Sequence, residues 1–479
     1  MNKTLEELQL GESYQFDVVV QNNGTYFAGG LSLSPEGCTL VVRGDVFEGR
    51  SSTLEWHEVD ELQCTSFGGT FMLYGLKGIS GSSRALQRHP ESIGHFEIRY
   101  AIAYAIFQRG RMFGPEEYVG FKIRSPSIAR WIGATTTQHA IATAPEKNAL
   151  LAQNSPINAE FQVDIPDLGN LAVTYELSMG YLQDFSMGIH FPPVLSVFFG
   201  APSNATETIS AIREIETLLS FLFGHPLAAE RIQLITRNGG LRLSSLYVAG
   251  HRQNVTDSER RHPFFPLGHN LSHDQLDLPP LPVDVFPAYM GLSDSDRAFI
   301  KKYLRYRHLD NPEERFLGFF RLLEKLCYQN ESFLPHDELQ SLLTRATPFL
   351  IKYFNDTKNV RRIIKRMDRL NRSKLDTAGC IKRFMDALPV TTRERWTYGA
   401  GDLEAICKLR NDLTHANELE PETSDIATKA IFIEVLLVIR LLVHIGVPVA
   451  DAASISGRLR HHFLIERRND VQTKKDEHN

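Results

Sequence analysis

The hydrophobic and polar positions of the chain follow two different periods, one in each half. In roughly the first 250 residues, short segments alternate between the two kinds, as in YQFDVVV, where Tyr14, Phe16 and Val18 share one side. A period of two is typical of strands that bury one face. The turn signals QNNG, PDLGN and NGG separate several of these segments. We therefore predict a β-rich, sandwich-like or curled sheet in this half.

Helical periods appear once in the first half and throughout the second. One amphipathic helix is predicted at about residues 206–223, packed on the sheet. After about residue 290 the spacing becomes helical, and LSDSDRAF and NPEERFLG carry helix-start signals. We predict an all-α bundle of five to seven helices, with later members at about 337–354, 358–372, 375–387, 402–415 and 423–445.

A proline-rich stretch separates the halves, with six prolines between Pro263 and Pro287. Proline at this density favours an extended connector. The fold class is thus a multidomain α+β protein. Its predicted parts are residues 1–250 (β-rich), 251–290 (connector), 291–465 (helical bundle) and 466–479 (charged tail).

Composition and charge narrow the function. The chain carries a net charge of −5, but residues 291–479 hold 32 Lys and Arg against 27 Asp and Glu, so the second half suits a polyanion better. The most apolar segment, AIFIEVLLVIRLLVHIGV, contains Glu434, Arg440 and His444, which favours a core helix over a membrane span. The polar opening segment and five scattered cysteines predict a cytoplasmic protein with no membrane, cofactor or disulfide framework.

A histidine cluster in the connector is the one candidate metal site. His262, His269 and His273 lie close in sequence, but their spacing fits no common ligand pattern. We expect a loop with incidental histidines and no metal.

The stretch CKLRNDLTHANELEP contains the strongest candidates for catalytic residues. On a wheel of the 402–415 helix, Arg410 falls inside the apolar arc, and Asn411 and His415 fall on its rim. Burying a guanidinium is costly unless it is paired. Two explanations remain open: an ion pair, for instance with Glu324, or a cleft where Arg410 meets a phosphate. A histidine at the end of the same helix favours acid/base chemistry.

The motif RNDLTH resembles the Arg-x(4–6)-His motif of HEPN-domain ribonucleases, including the Asn after the Arg. It ends a helix in an α-bundle and precedes a long apolar helix, while an earlier helix contributes LLEKL. This setting is similar to that of Apea-type HEPN proteins of bacterial abortive-infection (anti-phage) defence. The first half, with FKIRSPSIARWIG, resembles their β-rich N-terminal domain.

The resemblance implies a metal-independent endoribonuclease in which a ribose 2′-hydroxyl attacks the adjacent phosphate, leaving a cyclic phosphate and a 5′-hydroxyl. His415 would be the acid/base, and Arg410 would stabilise the phosphate. Asn411 would orient the phosphate or His415, and Glu324 would position Arg410. Two HEPN domains would pair as a homodimer or higher homo-oligomer.

A basic helix supplies candidate RNA-binding residues: Arg361, Arg362, Lys365, Arg366 and Arg369, with Arg372. A charge run is often only a solvated face. In the same domain as the nuclease motif, it favours contact with the RNA backbone. Tyr303 and Tyr306 are core aromatics or, alternatively, stack on bases.

Together these features predict a cytoplasmic anti-phage protein that cuts RNA, with tRNA as the expected substrate. Its β-rich domain would sense a phage-encoded trigger protein or hold the enzyme inactive. Two alternatives remain: a non-catalytic HEPN module for dimerisation or RNA binding, and a chain whose main work is ligand binding in the β-rich domain.

Overall fold

A computed structural model of the chain describes two compact units, Met1–Leu292 and Ser293–Asn479. The residues it describes are 7–22, 24–47, 58–86, 93–110, 117–133, 135–143, 159–176, 178–181, 187–237, 241–250, 265, 279, 281–371, 374–415 and 423–467. His262, His269 and His273, most of the predicted connector and most of the predicted tail lie outside them.

The first unit is built on fifteen described strands, thirteen of which form one antiparallel sheet. The strands are β1 (Tyr14–Asn22), β2 (Thr25–Ser34), β3 (Gly37–Phe47), β4 (Glu58–Thr65), β5 (Gly69–Leu86), β6 (Ile93–Ile102), β7 (Tyr104–Arg109), β8 (Tyr118–Arg124), β9 (Ala159–Ile165), β10 (Gly169–Tyr175), β11 (Ser178–Tyr181), β12 (Met187–His190), β13 (Pro193–Ser203), β14 (Arg231–Arg237) and β15 (Leu241–Val248). Strands β11 and β12 pair separately.

The sheet curls until part of it closes on itself. Strand β4 pairs with both β1 and β5, so the pairings β1–β2–β3–β6–β5–β4 complete a ring. The 18-residue β5 makes this possible: Gly69–Tyr74 pairs with β7, and Lys77–Leu86 pairs with β6, with a register shift between Gly78 and Ser80. The sheet continues through β7, β15, β14, β8, β13 and β10 to β9. The predicted hairpins at PDLGN and NGG are β9–β10 and β14–β15.

Four helices lie among the described residues of this unit: α1 (Pro126–Ile132), α2 (Thr136–Thr143), α3 (Ala205–Phe223) and α4 (Val285–Met290). The predicted helix is α3, which begins with an Asn204–Glu207 capping box and ends at left-handed Gly224. The expectation of a single helix in the first half was wrong. Helix α1 begins at a Ser125 N-cap with proline at its first position, and it buries Trp131.

The second unit is all-α over its described residues. Its helices are α5 (Asp294–Arg307), α6 (Pro312–Cys327), α7 (His336–Phe354), α8 (Thr357–Asn371), α9 (Thr377–Asp386), α10 (Val390–Arg395), α11 (Leu403–His415), α12 (Thr423–His444) and α13 (Val449–Ser456). The predicted order, β-rich first and all-α afterwards, is confirmed. The nine described helices exceed the predicted five to seven, because the short α10 and α13 carry too few residues for a clear period.

Helix α12 is the core of this unit and packs along α6. Two of its polar residues have partners in the core: Glu434 accepts a hydrogen bond from the Tyr303 hydroxyl at 3.0 Å, and Arg440 Nε donates to the Leu326 carbonyl at 3.1 Å. Within the described ranges, no helix has the length and apolar character needed to cross a membrane.

Candidate functional site

Helix α11 carries the motif residues and is held by its apolar side. Leu403, Ile406 and Leu409 are buried, and the helix packs against α6 and α9. Arg410 follows on the edge of this buried face, with its side chain 25% exposed. The helix wheel placed Arg410 inside the apolar arc, whereas the structure has it at the edge of that face and partly exposed.

The Arg410 guanidinium is fixed by several neighbours. Its Nη2 lies 2.5 Å from Glu324 Oε1, and its Nη1 donates to Asn411 Oδ1 at 2.9 Å. The hydroxyl of Thr377 donates to the same Glu324 oxygen at 2.8 Å. The guanidinium carbon lies 5.2 Å from the Phe320 ring centroid. The expected Arg410–Glu324 ion pair is present, and it links α6 to α11.

The ion pair leaves some N–H donors of the Arg410 guanidinium available. A guanidinium has five N–H donors, whereas Glu324 and Asn411 each accept one hydrogen bond from it. Since the side chain is partly exposed, it can meet an anion while Glu324 holds it in place. Both explanations offered by the sequence are thus compatible with one geometry.

Asn411 and His415 lie on the solvent side of the same helix. Both are exposed, and they are four residues apart, so they share one face. His415 is the last residue of α11, about 7.5 Å beyond Arg410 along the helix axis. The helix end thus presents a cation, an amide and an imidazole to solvent within about two turns.

Cys407 lies three residues before Arg410 and is the nearest potential nucleophile on α11. Burial raises the pKa of this thiol to about 11, although Arg410 acts in the opposite direction. The thiol is therefore protonated near neutral pH and is a poor nucleophile.

The predicted RNA-binding residues lie on one exposed surface of α8: Arg361, Arg362, Lys365, Arg366 and Arg369. Arg372 lies outside the described residues. Among the residues that are described, no acidic partner pairs with any of these five cations. Beside α8 is an open groove of about 1150 Å³, lined by Tyr328, Arg362, Ile363, Lys365, Arg366, Arg369 and Leu370.

The two tyrosines considered for base stacking are differently placed. Tyr303 is completely buried and donates to Glu434, so it belongs to the core. Burial and the nearby Glu434 raise its pKa well above the ordinary value. Tyr306 lies against Gly318 of α6, with the Arg305 guanidinium 5.7 Å from its ring. Sequence reasoning missed Tyr328 and Thr377, because neither belongs to a motif.

The β-rich unit has a groove of its own, of about 720 Å³. Its lining includes Arg124 at the end of β8, His190 at the end of β12, the adjacent Phe191, and Glu230 just before β14. In the described parts of the chain, no group of three or more His, Cys, Asp or Glu residues is arranged to hold a metal ion.

Comparison with known proteins places the first unit in a family. The family model described as ApeA N-terminal domain 1 matches residues 15–271, more than half of the 479-residue chain. Searches of the curated proteins and of the solved structures give no match. The match includes the ring of strands, the remaining sheet and helix α3. The chain therefore belongs to the ApeA family of anti-phage defence proteins.

Proposed function

We propose that the second unit is a HEPN-type endoribonuclease that cuts RNA without a metal during anti-phage defence. The observation that carries this proposal is the end of α11. There Arg410 is pinned by Glu324 and Asn411, and His415 lies exposed on the following turn.

The residues suit attack of a ribose 2′-hydroxyl on the adjacent phosphate. His415 takes the hydroxyl proton or gives a proton to the departing 5′-oxygen, a role worth roughly 10²–10⁴ in rate. Arg410 binds the non-bridging oxygens and stabilises the charge that develops on them. Asn411 orients the phosphate or His415. Glu324 positions Arg410 from α6, and the products are a cyclic phosphate and a 5′-hydroxyl.

The remaining parts of the proposal concern partners. Two copies pair through the helical unit, so that two motifs face one cleft. The basic α8 surface holds the RNA backbone, with tRNA as the expected substrate. The enzyme stays inactive in the cytoplasm until the β-rich unit meets a phage-encoded trigger protein, because an always-active ribonuclease would kill its host.

The decisive experiment is phage plating on cells that carry the native protein or His415→Ala, with total RNA from both infected cultures run on a gel. We expect protection and new tRNA-sized fragments with the native protein only. The reason is that alanine can neither accept nor donate the proton.

The matched control is His308→Ala, which removes a histidine from the end of another helix, α5. It should protect like the native protein. Equal protection by His415→Ala, at equal protein levels and without fragments, would reject the nuclease. It would favour a non-catalytic helical module or ligand binding by the β-rich unit.

A further inference from the structure

The groove beside α8 joins two features that neither motif nor family comparison connects: a row of cations and an exposed aromatic ring. Its cationic lining is Arg362, Lys365, Arg366 and Arg369. Tyr328, at the C-terminal end of α6, also lines it and is 63% exposed. Ile363 and Leu370, each 58% exposed, complete an apolar patch.

We propose that this groove binds an unpaired stretch of RNA next to the cleaved phosphate, with a base stacked on Tyr328. The proposal rests on the proposed ribonuclease function and adds a binding site for its substrate: the groove beside α8, with Tyr328 as the residue on which a base stacks.

The positive charges on α8 favour binding of a polyanion. The five predicted cations are exposed on a helix whose one acidic residue, Asp368, lies 3.5 Å from His336, and Lys358 adds a sixth exposed cation. In the described part of the chain none of the five is neutralised by an acid. Like charges so close repel one another, and a phosphate backbone along the groove relieves the repulsion while releasing counterions.

The apolar patch favours a single strand over a duplex. A duplex presents phosphates and sugars to such a helix and keeps its bases stacked inside. An aromatic ring among cations instead suits an unstacked base, as in proteins that bind single strands. Tyr328 together with Ile363 and Leu370 offers such a base an apolar place in the groove.

The groove lies close to the proposed catalytic residues. Tyr328 follows Glu324 by four residues, about one helical turn or 6 Å along α6. Glu324 is the residue that holds Arg410. In the proposed arrangement, the phosphates that follow the base on Tyr328 run towards the Arg410 guanidinium.

Backbone contacts fix the groove before any ligand arrives. The Phe333 amide donates to the Asn371 carbonyl at 2.9 Å, and the Asn371 side chain bonds both the amide and the carbonyl of Leu334. The Lys374 amide donates to the Glu331 carbonyl at 3.1 Å. These contacts tie the end of α8 to the segment that follows Tyr328, so the two walls keep their spacing.

A second copy of the chain is a less suitable occupant. A twofold contact brings the same surface patch of both copies together. Two grooves lined by Arg362, Lys365, Arg366 and Arg369 would therefore bring eight cations together. An anionic strand has the opposite charge and fits without this cost.

The test measures RNA binding by the full chain in the cleavage-inactive His415→Ala background. Fluorescence anisotropy is recorded with a labelled 12-nucleotide single-stranded RNA and with the same RNA in a duplex. Adding Tyr328→Ala should raise the Kd for the single strand about 10-fold to 100-fold, since one stacked base is lost. Tyr328→Phe keeps the ring and should bind within about 3-fold of the parent. Arg366→Ala should reduce the salt dependence of log K by about one charge.

The matched control is Tyr353→Ala, which removes another exposed aromatic ring, 72% exposed, on α7 and outside the groove. It should leave the Kd unchanged. Circular dichroism must show that all variants fold alike.

Three results would overturn the proposal. One is unchanged single-strand binding by Tyr328→Ala. Another is duplex binding as tight as single-strand binding. The third is a loss of self-association by Tyr328→Ala in sedimentation, which would assign the groove to a second copy. These failures are separable from that of the nuclease: binding as expected with no cleavage by the native protein would reject the ribonuclease and retain the groove.

Discussion

At Arg410 the chain keeps a charged side chain largely out of water, and one carboxylate makes this possible. Glu324 accepts hydrogen bonds from Arg410 at 2.5 Å and from Thr377 at 2.8 Å through the same oxygen. The carboxylate is thereby fixed from α9 while it fixes the guanidinium on α11. If Arg410 has its proposed role, Glu324 affects catalysis through geometry, because small misplacements of a catalytic group are costly.

Replacing Glu324 by glutamine tests this role. The amide keeps the size of the side chain but removes the negative charge that orients Arg410. We expect RNA cleavage to fall by up to about 10²-fold, with the loss in kcat and with KM changed little. Cleavage kinetics on a purified triggered enzyme measure the split. Glu404→Gln, an exposed position on α11, is the control and should cleave normally. A Glu324→Gln enzyme with native kcat would show that the ion pair serves stability alone.

At the scale of residues, the sequence predicts a site residue where a helix wheel can be drawn. Arg410 lies inside an apolar arc, so a partner was needed, and Glu324 on the edge of another apolar stripe was a reasonable candidate. Tyr328 gave no such signal. Its place in the groove depends on how α8 returns beside the end of α6, and this is set by the Asn371 contacts across 37 residues.

At the scale of elements, the helices with strong start signals were predicted well. Ser293, Asn311 and Asp376 all cap their helices with side-chain oxygens. Helix α1 has comparable signals in Ser125 and Pro126, but its seven residues are too few to show a helical period. Short helices of this kind are held by burial, here of Trp131, which a local pattern does not reveal.

The packing of α5 against α6 supplies a prediction at this scale. A Cβ added to Gly318 would lie 2.7 Å from ring atoms of Tyr306. Gly318→Ala gains about 1 kcal/mol of helix propensity but forces the ring and α5 to shift, which typically costs 1–3 kcal/mol. We expect a net loss of about 1 kcal/mol, seen as a Tm lower by roughly 2–4 °C. Thermal denaturation followed by circular dichroism measures it.

Gly401→Ala is the control for this prediction. No atom lies within 4 Å of the Cβ that it would add, so the Tm should hardly change. A Gly318→Ala protein as stable as the native one would mean that Tyr306 moves aside freely, and that α5 and α6 are not held at their present distance by this glycine.

At the scale of the whole molecule, the order of strands in the sheet cannot be predicted from the sequence. Alternation showed that strands exist and which faces they bury, as for Val18 and Val20 in β1. It gave no information on β7 pairing with β15, which lies about 140 residues further along the chain, or on β4 closing the ring. Such pairings are decided by the packing of the complete sheet, because any strand of suitable length can pair locally.

The need for a silent state leads to the last prediction. A ribonuclease that cuts the host's RNA must be inactive before infection, and the β-rich unit is the candidate for that control. A chain reduced to residues 293–479 keeps the compact helical unit with Arg410, Glu324 and His415. We expect its induction in uninfected cells to stop growth and to produce RNA fragments, whereas the full chain should leave growth unchanged. The same truncated chain with His415→Ala should be harmless. If the truncated protein accumulates, folds and leaves growth unaffected, the β-rich unit does not silence the enzyme. It would then be needed to switch the enzyme on, and the search for the trigger would move to its own grooves.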